Sequence, residues 1–330
     1  MICRRCFNTN STLSRDIDLI KNIVSKTRVE RPNTSKLNLS KPQTTNPRAN
    51  PPHHQPRKSR IRSRLNQRSE WVSFNTSYNK FFKQPTIQDV NKVNQFFNST
   101  QVTYEWSANE FENIPSELAR ARELEIQANR ASEKMYGGKT KIPFQLINGL
   151  PEILFLGRSN AGKSSILNNL VTEYSRSAVV EAARMSKRAG FTKTLNCFNI
   201  GNRFRLIDSP GYGFHSTSKQ GTVTMDYLES RKELRRCYVL VSANHRFTRL
   251  DLSVMEHLTS LGRPFEIIFT KMDKIKDLTK FETMIKESGI QDSPTLPRLI
   301  FTNSVSSPGT PKRYGIDHLR YSIFESCGLI

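Results

Sequence analysis

The sequence predicts an α/β fold, in which a mostly parallel, wound sheet is flanked by helices and preceded by a disordered basic region. Short apolar segments alternate with helical segments from residue 144 onwards, as expected for a wound sheet. Residues 195–200 and 203–207 alternate in polarity around Gly201 and Asn202, which predicts one antiparallel pair at the edge of the sheet. Residues 40–70 carry few large apolar side chains, so burial cannot offset their entropy of folding.

The composition of the 330-residue chain excludes several classes of protein. Its longest apolar runs are four or five residues, which is too short for a transmembrane helix. Five scattered cysteines are too few for a disulfide framework and indicate a reducing compartment. The chain has 51 Lys and Arg against 29 Asp and Glu, a formal net charge of +22. That charge favours a polyanionic partner or a targeting segment.

Residues 1–70 hold roughly half of the excess positive charge and are predicted to be a transit peptide followed by a disordered basic region. The opening contains Arg4, Arg5 and Arg15, several Ser and Thr, and no acidic residue before Asp16. This pattern is typical of mitochondrial targeting peptides, although an ordinary basic tail is the alternative. The basic run at 57–64 could instead contact phosphates or serve as a nuclear address. We therefore expect a mitochondrial matrix protein, with a nucleolar or cytosolic one as the alternative.

Residues 71–143 are predicted to be a partly helical N-terminal extension of the main domain, which spans residues 144–330. Within residues 116–135, apolar side chains recur at alternating steps of three and four. They are Ala121, Leu124, Ala128, Ala131 and Met135. This spacing predicts an amphipathic helix that packs on the domain that follows.

The pattern G-x-x-x-x-G-K-S begins at Gly157, between an apolar segment at 152–156 and a helical segment. Its glycines let backbone N–H groups point at phosphate oxygens, and Lys163 adds a positive charge near the β and γ phosphates. The Ser164 hydroxyl would be offered to Mg²⁺ as a ligand. A Gly-rich turn is the alternative, but the strand–loop–helix context favours nucleotide binding. The predicted phosphate contacts are Gly157, Arg158, Ser159, Asn160, Ala161, Gly162, Lys163, Ser164 and Ser165.

Three segments downstream favour GTP over ATP, and the first two are D-x-x-G and T-K-x-D. The apolar segment 204–207 leads into D-x-x-G, where Asp208 can hold Mg²⁺ through water and the Gly211 N–H can sense the γ-phosphate. Thr270, Lys271 and Asp273 form T-K-x-D directly after the apolar segment 265–269. The Asp273 carboxylate can accept hydrogen bonds from guanine N1–H and the 2-amino group, a donor pair that adenine lacks. The Lys271 stem would lie along the base.

Two further loops complete the predicted site. The apolar segment 298–301 leads into Thr302, Asn303 and Ser304, and a backbone N–H within residues 302–305 can donate to guanine O6. In the basic stretch 185–194, Thr192 is preferred to Thr194 as the residue that closes over Mg²⁺ and the γ-phosphate. The catalytic candidates are thus Lys163, Thr192 and Gly211, and the metal ligands are Ser164, Thr192 and Asp208. Helices are predicted at 223–234, 249–261, 278–288 and 316–326.

Four segments resemble the EngB (YihA) GTPases of the TRAFAC class. They are GRSNAGKSS at 157–165, SKRAGFT at 186–192 followed by Leu195 and Asn196, DSPGYG at 208–213, and GIDHL at 315–319. The resemblance covers residues 144–330 and implies a P-loop GTPase fold, Mg²⁺-dependent GTP hydrolysis and action on the large ribosomal subunit or its rRNA. The basic leader suggests a mitochondrial member, such as fungi carry. We expect a monomer.

The sequence departs from this family and from Ras-like proteins at three places. Residues 242–245 read SANH where the family usually has D-x-R-H, and Ser209 stands where Leu is usual. Tyr212 occupies the position of the water-orienting Gln of Ras-like proteins, so intrinsic hydrolysis should be slow. Asn160 sits where some GTPases of this broad class bind K⁺, which predicts a possible K⁺ cofactor. A GTP-binding ribosome tether whose hydrolysis is incidental is the alternative function.

Overall fold

The computed structural model describes residues 73–130, 142–173, 179, 181–183, 192–213, 218–304 and 313–330. The predicted transit peptide and basic region, at residues 1–70, lie outside these ranges. Within them, no helix combines the length and apolar character that crossing a membrane requires.

Seven strands of the described chain form one sheet in the order β1-β3-β4-β2-β5-β6-β7. The strands are β1 (Val102–Ala108), β2 (Glu152–Gly157), β3 (Leu195–Ile200), β4 (Phe204–Asp208), β5 (Leu234–Ser242), β6 (Phe265–Thr270) and β7 (Leu299–Phe301). The strands β4, β2, β5, β6 and β7 pair in parallel, while β3 pairs antiparallel with β4. The predicted α/β class, the mostly parallel sheet and the hairpin are therefore confirmed.

The antiparallel pair does not lie at the edge of the sheet, so that part of the prediction is wrong. Strand β1 pairs antiparallel with β3, from Val102 opposite Ile200 to Ala108 opposite Leu195. The pattern of polarity in β1 is weak because only Trp106 and Ala108 are buried in it, which hid the strand in the sequence. The predicted extension at 71–143 thus contributes the edge strand of the sheet.

Nine helices flank this sheet in the described chain. They are α1 (Phe74–Ser77), α2 (Ile87–Ser99), α3 (Pro115–Arg130), α4 (Phe144–Ile147), α5 (Lys163–Val171), α6 (Ser218–Ser230), α7 (Arg249–Ser260), α8 (Leu278–Glu287) and α9 (Ile316–Ser326). The helices predicted at 249–261, 278–288 and 316–326 are confirmed. The helix predicted at 223–234 is α6, which begins and ends earlier, at Ser218 and Ser230. It cannot extend to Leu234, because Leu234 is the first residue of β5 and pairs with Glu152.

Helix α3 exists, but the two described residues of the predicted apolar stripe do not face the core. Ala121 is exposed and Leu124 is 66% exposed, whereas Ala119 is buried. The start of the helix is held by polar contacts, since Ser116 Oγ accepts a hydrogen bond of 2.6 Å from Arg231. These contacts fix which face of α3 turns inward. The side chain of residue 128 and all of residues 131–141 lie outside the described part of the chain.

Two layers of apolar side chains pack on opposite faces of the sheet. Within β2, Leu154 and Leu156 face one layer, and Ile153 and Phe155 face the other. This alternation follows from the two-residue repeat of a strand. The first layer includes side chains of α6, α7 and α8, and the second includes side chains of α2, α5 and α9. With both faces covered, polar loops at the carboxyl ends of the parallel strands are left to form a site.

Candidate nucleotide-binding site

The loop from β2 to α5 holds the conformation that a phosphate-binding nest requires. Asn160 and Gly162 both have positive φ values, 64° and 104°, and Gly162 is the residue that caps the N-terminus of α5. The Ala161 N–H donates to Arg158 O at 3.0 Å, which closes the turn. Ser164 and Ser165 follow in the first turn of α5. Successive N–H groups before a helix N-terminus make an anion-binding concavity.

The Lys163 ammonium lies inside this loop rather than in solvent. Its Nζ donates to Gly157 O at 2.9 Å and to Arg158 O at 3.3 Å. Lys163 is buried, and burial lowers its pKa to about 8, while the nearby Asp208 carboxylate opposes that shift. The loop therefore holds a lysine that a phosphate anion would keep protonated.

Asp208 and Ser164 form the part of the site that could take a metal ion. The Ser164 hydroxyl donates to Asp208 Oδ2 at 2.9 Å, which joins the end of β4 to the start of α5. Asp208 Oδ1 is buried and has no hydrogen-bond partner among the residues that the structure describes. Burial raises the pKa of the Asp208 carboxyl, and Lys163 and Ser164 oppose the rise.

This donor set fits Mg²⁺. Magnesium keeps several waters and takes one or two protein oxygens besides phosphate, so it needs no all-protein cage. The described residues contain no group of three or more His, Cys, Asp or Glu suited to a metal. The buried Oδ1 and the adjacent hydroxyl are the oxygens that such an ion would use.

The D-x-x-G segment runs against the phosphate loop. The Ser159 N–H donates to Tyr212 O at 3.3 Å, and the Tyr212 N–H donates to Gly157 O at 3.3 Å. A Cβ on Gly211 would lie 2.8 Å from the backbone of Ser159, so this close approach requires glycine. The departure at Ser209 has a structural role, because its hydroxyl donates to Phe155 O at 2.6 Å in a buried position.

Asp251, which sequence reasoning missed, ties both loops to helix α7. Its carboxylate is fully buried and accepts a 3.0 Å hydrogen bond from the Tyr212 hydroxyl. It also lies 3.3 Å from Arg158 Nε and accepts from the N–H and hydroxyl of Thr248, as in a capping box. In the sequence, the Thr248-x-x-Asp251 spacing indicates a helix N-cap, but nothing in it indicates the contacts with Tyr212 and Arg158.

The T-K-x-D segment is joined to the phosphate loop by two hydrogen bonds. Thr270 Oγ1 donates to Ala161 O at 2.7 Å, and Lys271 Nζ donates to Asn160 O at 2.6 Å. Lys271 has a φ of 59°, and a short 3₁₀ turn (Met272–Lys274) follows it. Partial burial raises the pKa of the Asp273 carboxyl and lowers the pKa of the Lys271 ammonium. The predicted base-reading residues thus sit beside the predicted phosphate-binding ones.

The loop after β7 lies beside the T-K-x-D segment. The Thr302 N–H donates to Phe269 O at 2.8 Å, and Thr302 O accepts from the Met272 N–H at 3.3 Å. Asn303 exchanges two 3.0 Å backbone hydrogen bonds with Tyr314. Because the N–H groups of Thr302 and Asn303 are engaged, the predicted O6 donor is best sought at Ser304 or beyond.

Thr192 lies three residues before β3, and the residues 184–191 that precede it are outside the described chain. Its role over Mg²⁺ stays a prediction. The competing residue, Thr194, is engaged elsewhere. Its hydroxyl bonds with Ser107 Oγ at 2.7 Å and with Asn196 Oδ1 at 3.2 Å.

Comparisons of the sequence with known proteins identify the family of this chain. A family model described as 50S ribosome-binding GTPase matches residues 152–271. The chain is 46% identical over 280 residues to MIOREX complex component 8 of Saccharomyces cerevisiae, covering 83% of this chain and 86% of that protein. It is 34% identical over 185 residues to the probable GTP-binding protein EngB of Caulobacter vibrioides, covering 54% and 76%. The chain belongs to the EngB family of GTPases.

Among solved structures, a crystal structure of a probable GTP-binding protein engB aligns with a TM-score of 0.39 and 20% identity. The alignment covers 54% of this chain and 100% of that chain. The predicted resemblance to the EngB GTPases is confirmed by the sequence relatives.

The EngB departure at residues 242–245 forms a turn with hydrogen bonds of its own. The Ser242 hydroxyl donates to Asn244 Oδ1 at 2.6 Å, and the His245 N–H donates to Ser242 O at 2.9 Å. The Ser242 and Asn244 side chains therefore bond to each other where the family has D-x-R-H, while the Ala243 N–H donates to Thr270 O of β6 at 2.8 Å.

Proposed function

We propose that the protein binds GTP, hydrolyses it slowly and acts as a switch in mitochondrial large-subunit assembly or mitochondrial translation. The main support is convergence: four segments far apart in the chain are joined by hydrogen bonds around one loop. The relatives named EngB and the family described as ribosome-binding support GTP and a ribosomal partner. The basic, acid-poor opening supports a mitochondrial matrix location.

In the proposed mechanism, the N–H groups of residues 157–165 and the Lys163 ammonium hold the phosphates. The Ser164 hydroxyl and the Asp208 carboxylate would hold Mg²⁺, with Thr192 as a further ligand in the GTP state. When bound, Mg²⁺ would neutralise charge on the β and γ phosphates. The Gly211 N–H would sense the γ-phosphate, and its close contact with Ser159 would pass that state to the phosphate loop.

Guanine would be selected at the other end of the site. The Asp273 carboxylate would accept hydrogen bonds from N1–H and the 2-amino group, and the Lys271 stem would cover the base. Within the 302–304 loop, the Ser304 N–H would donate to O6, since those of Thr302 and Asn303 are already engaged. With ATP, the carboxylate would face a purine that offers it no such donor pair, at a cost in binding free energy.

Hydrolysis should be slow because Tyr212 is committed elsewhere. Its hydroxyl donates to Asp251, so it is not available to orient an attacking water as Gln does in Ras-like proteins. We propose that K⁺, bound with the help of Asn160, neutralises charge that develops during hydrolysis. The left-handed backbone of Asn160 and its link to Lys271 support a fixed position for that residue.

Sedimentation of mitochondrial extract tests the proposed role. Full-length protein should travel with large-subunit precursors in GTP or a non-hydrolysable analogue and leave them in GDP. Lys163→Ala, which removes the phosphate contact, should stay at the top of the gradient in every nucleotide. Equal association in GTP and GDP would refute the switch. If association were then lost on removing residues 1–70, the tether function would replace it.

A further inference from the structure

Two asparagine side chains hydrogen-bond to the backbone of β7 on the side that faces away from β6. Strand β7 pairs with β6 and is the last of the described strands in the sheet. On its other side, Asn75 Nδ2 donates to Phe301 O at 3.0 Å, and Asn75 Oδ1 accepts from the Phe301 N–H at 2.9 Å. Asn79 repeats this pattern with Leu299, at 2.7 and 3.0 Å. We call Asn75 and Asn79 the amide clamp.

The spacing of the amide clamp matches the strand. Residues four apart in a helix are separated by about 6 Å along the axis, and residues two apart in a strand by about 6.6 Å. Asn75 lies in α1 and Asn79 lies in the turn that directly follows it, so the two amides are in register with Phe301 and Leu299. Each amide uses both its donor and its acceptor, as a neighbouring strand would. Asn79 Nδ2 also donates to Asn75 O at 2.9 Å, which holds the two residues together.

Burial makes these hydrogen bonds difficult to replace with water. Asn75 is 2% exposed and Asn79 is 4% exposed. Aromatic rings pack around the same contact. Phe74 packs edge-on against Phe301, with ring centroids 5.3 Å apart. The centroid of the Tyr78 ring also lies 5.3 Å from that of Phe301. Loss of one amide would leave backbone groups of β7 without partners in a place that water does not reach, which is unfavourable.

The amide clamp acts where the predicted base-reading loop begins. Phe301, which Asn75 holds, is followed directly by Thr302, Asn303 and Ser304. Thr302 O in turn accepts from Met272 N–H, next to Asp273. A shift of β7 away from β6 would therefore move the 302–304 loop relative to the T-K-x-D turn.

We propose that the amide clamp is a specificity-positioning device: Asn75 and Asn79 hold the loop that reads guanine O6. These residues lie before residue 152, outside the region that the GTPase family model matches. The N-terminal segment is thus part of the apparatus for base selection, not only a support for the fold. This inference rests on the proposed function, since it requires that the site bind guanine nucleotides.

The test compares GDP with 6-thio-GDP, which keeps N1–H and the 2-amino group but replaces O6 with a weaker acceptor. Wild type should prefer GDP several-fold. Asn75→Ala should lose about tenfold in GDP affinity, and its preference for GDP over 6-thio-GDP should fall towards one. The matched control is Asn94→Ala, because Asn94 Oδ1 accepts from Arg320 at 2.8 Å and so joins α2 to α9 instead of to β7. The control should keep the wild-type preference even if its melting temperature falls.

Each other outcome decides the question. If Asn75→Ala melts earlier but keeps the wild-type preference, the amide clamp only stabilises the fold and the inference is wrong. If wild type binds GDP and 6-thio-GDP equally, the loop does not read O6 and the inference also fails. If wild type binds neither nucleotide, the proposed function itself fails. Should Asn75→Ala not fold, Asn79→Ala gives the same readout with a smaller expected loss.

Discussion

Replacing Asp251 with Asn should destabilise the protein far more than an ordinary surface change. The carboxylate is fully buried and accepts hydrogen bonds from Tyr212 and Thr248 at 2.8 to 3.0 Å, with Arg158 Nε at 3.3 Å. Breaking a buried ion pair costs about 3–5 kcal/mol. Arg158 is 26% exposed, and Asn retains one acceptor oxygen, so the lower end applies. We expect a loss of about 3 kcal/mol, which lowers Tm by about 6–12 °C in a domain of this size.

Urea and thermal unfolding at neutral pH measure this loss, and Tyr212→Phe is the matched control. Removing only the tyrosine hydroxyl should cost about 1 kcal/mol. The double variant Asp251→Asn with Tyr212→Phe should show a coupling of about 1 kcal/mol. If the amide oxygen stays towards Thr248, the amide nitrogen faces Tyr212 and cannot accept its hydrogen bond, so both changes remove the same contact. If Asp251→Asn were no worse than Tyr212→Phe, or if the two effects simply added, Asp251 would not join the loops as the structure indicates.

Three further experiments each test one part of the site. Because burial lowers the pKa of Lys163 to about 8 and bound phosphate should raise it, GDP binding should take up protons at about pH 8.5 but not at about pH 6.5. Calorimetry in buffers of different ionisation heat measures this, and no uptake at either pH would contradict it. GTP hydrolysis should be about tenfold faster in K⁺ than in Na⁺, and Asn160→Ala should abolish the difference; equal wild-type rates would exclude K⁺. Ser209→Ala should lose about 1–3 kcal/mol of stability by leaving Phe155 O unpaired, with GDP affinity unchanged. Unaltered unfolding would refute that assignment.

Local chemistry made the nucleotide-site segments predictable. The phosphate loop, D-x-x-G and T-K-x-D each place special residues directly after a buried strand, and a wound parallel sheet brings those strand ends to one edge. The hairpin was predictable because it too is encoded locally, by alternating polarity on both sides of Gly201 and Asn202. The contacts of Thr270 and Lys271 with the phosphate loop follow this logic, since β6 ends beside it.

What the sequence concealed depends on partners far away in the chain. Strand β1 has few buried residues of its own, so only its pairing with β3 reveals it. Leu124 has the spacing of a core residue, yet polar contacts near Ser116 orient α3 so that Leu124 faces solvent. Asn75 is a polar residue whose role exists only because β7, more than two hundred residues later, presents backbone groups that none of the described strands pairs with. No local pattern encodes such pairings.

Calorimetric titration of the full chain with GTP and with ATP, both in Mg²⁺, tests the central claim most directly. The claim is that the loop at 157–165 binds the phosphates and that Asp273 selects the purine. GTP should bind at least about 100-fold more tightly than ATP, since a carboxylate that loses two hydrogen bonds costs about 3 kcal/mol. Equal binding of the two nucleotides, or binding of neither, would contradict the account.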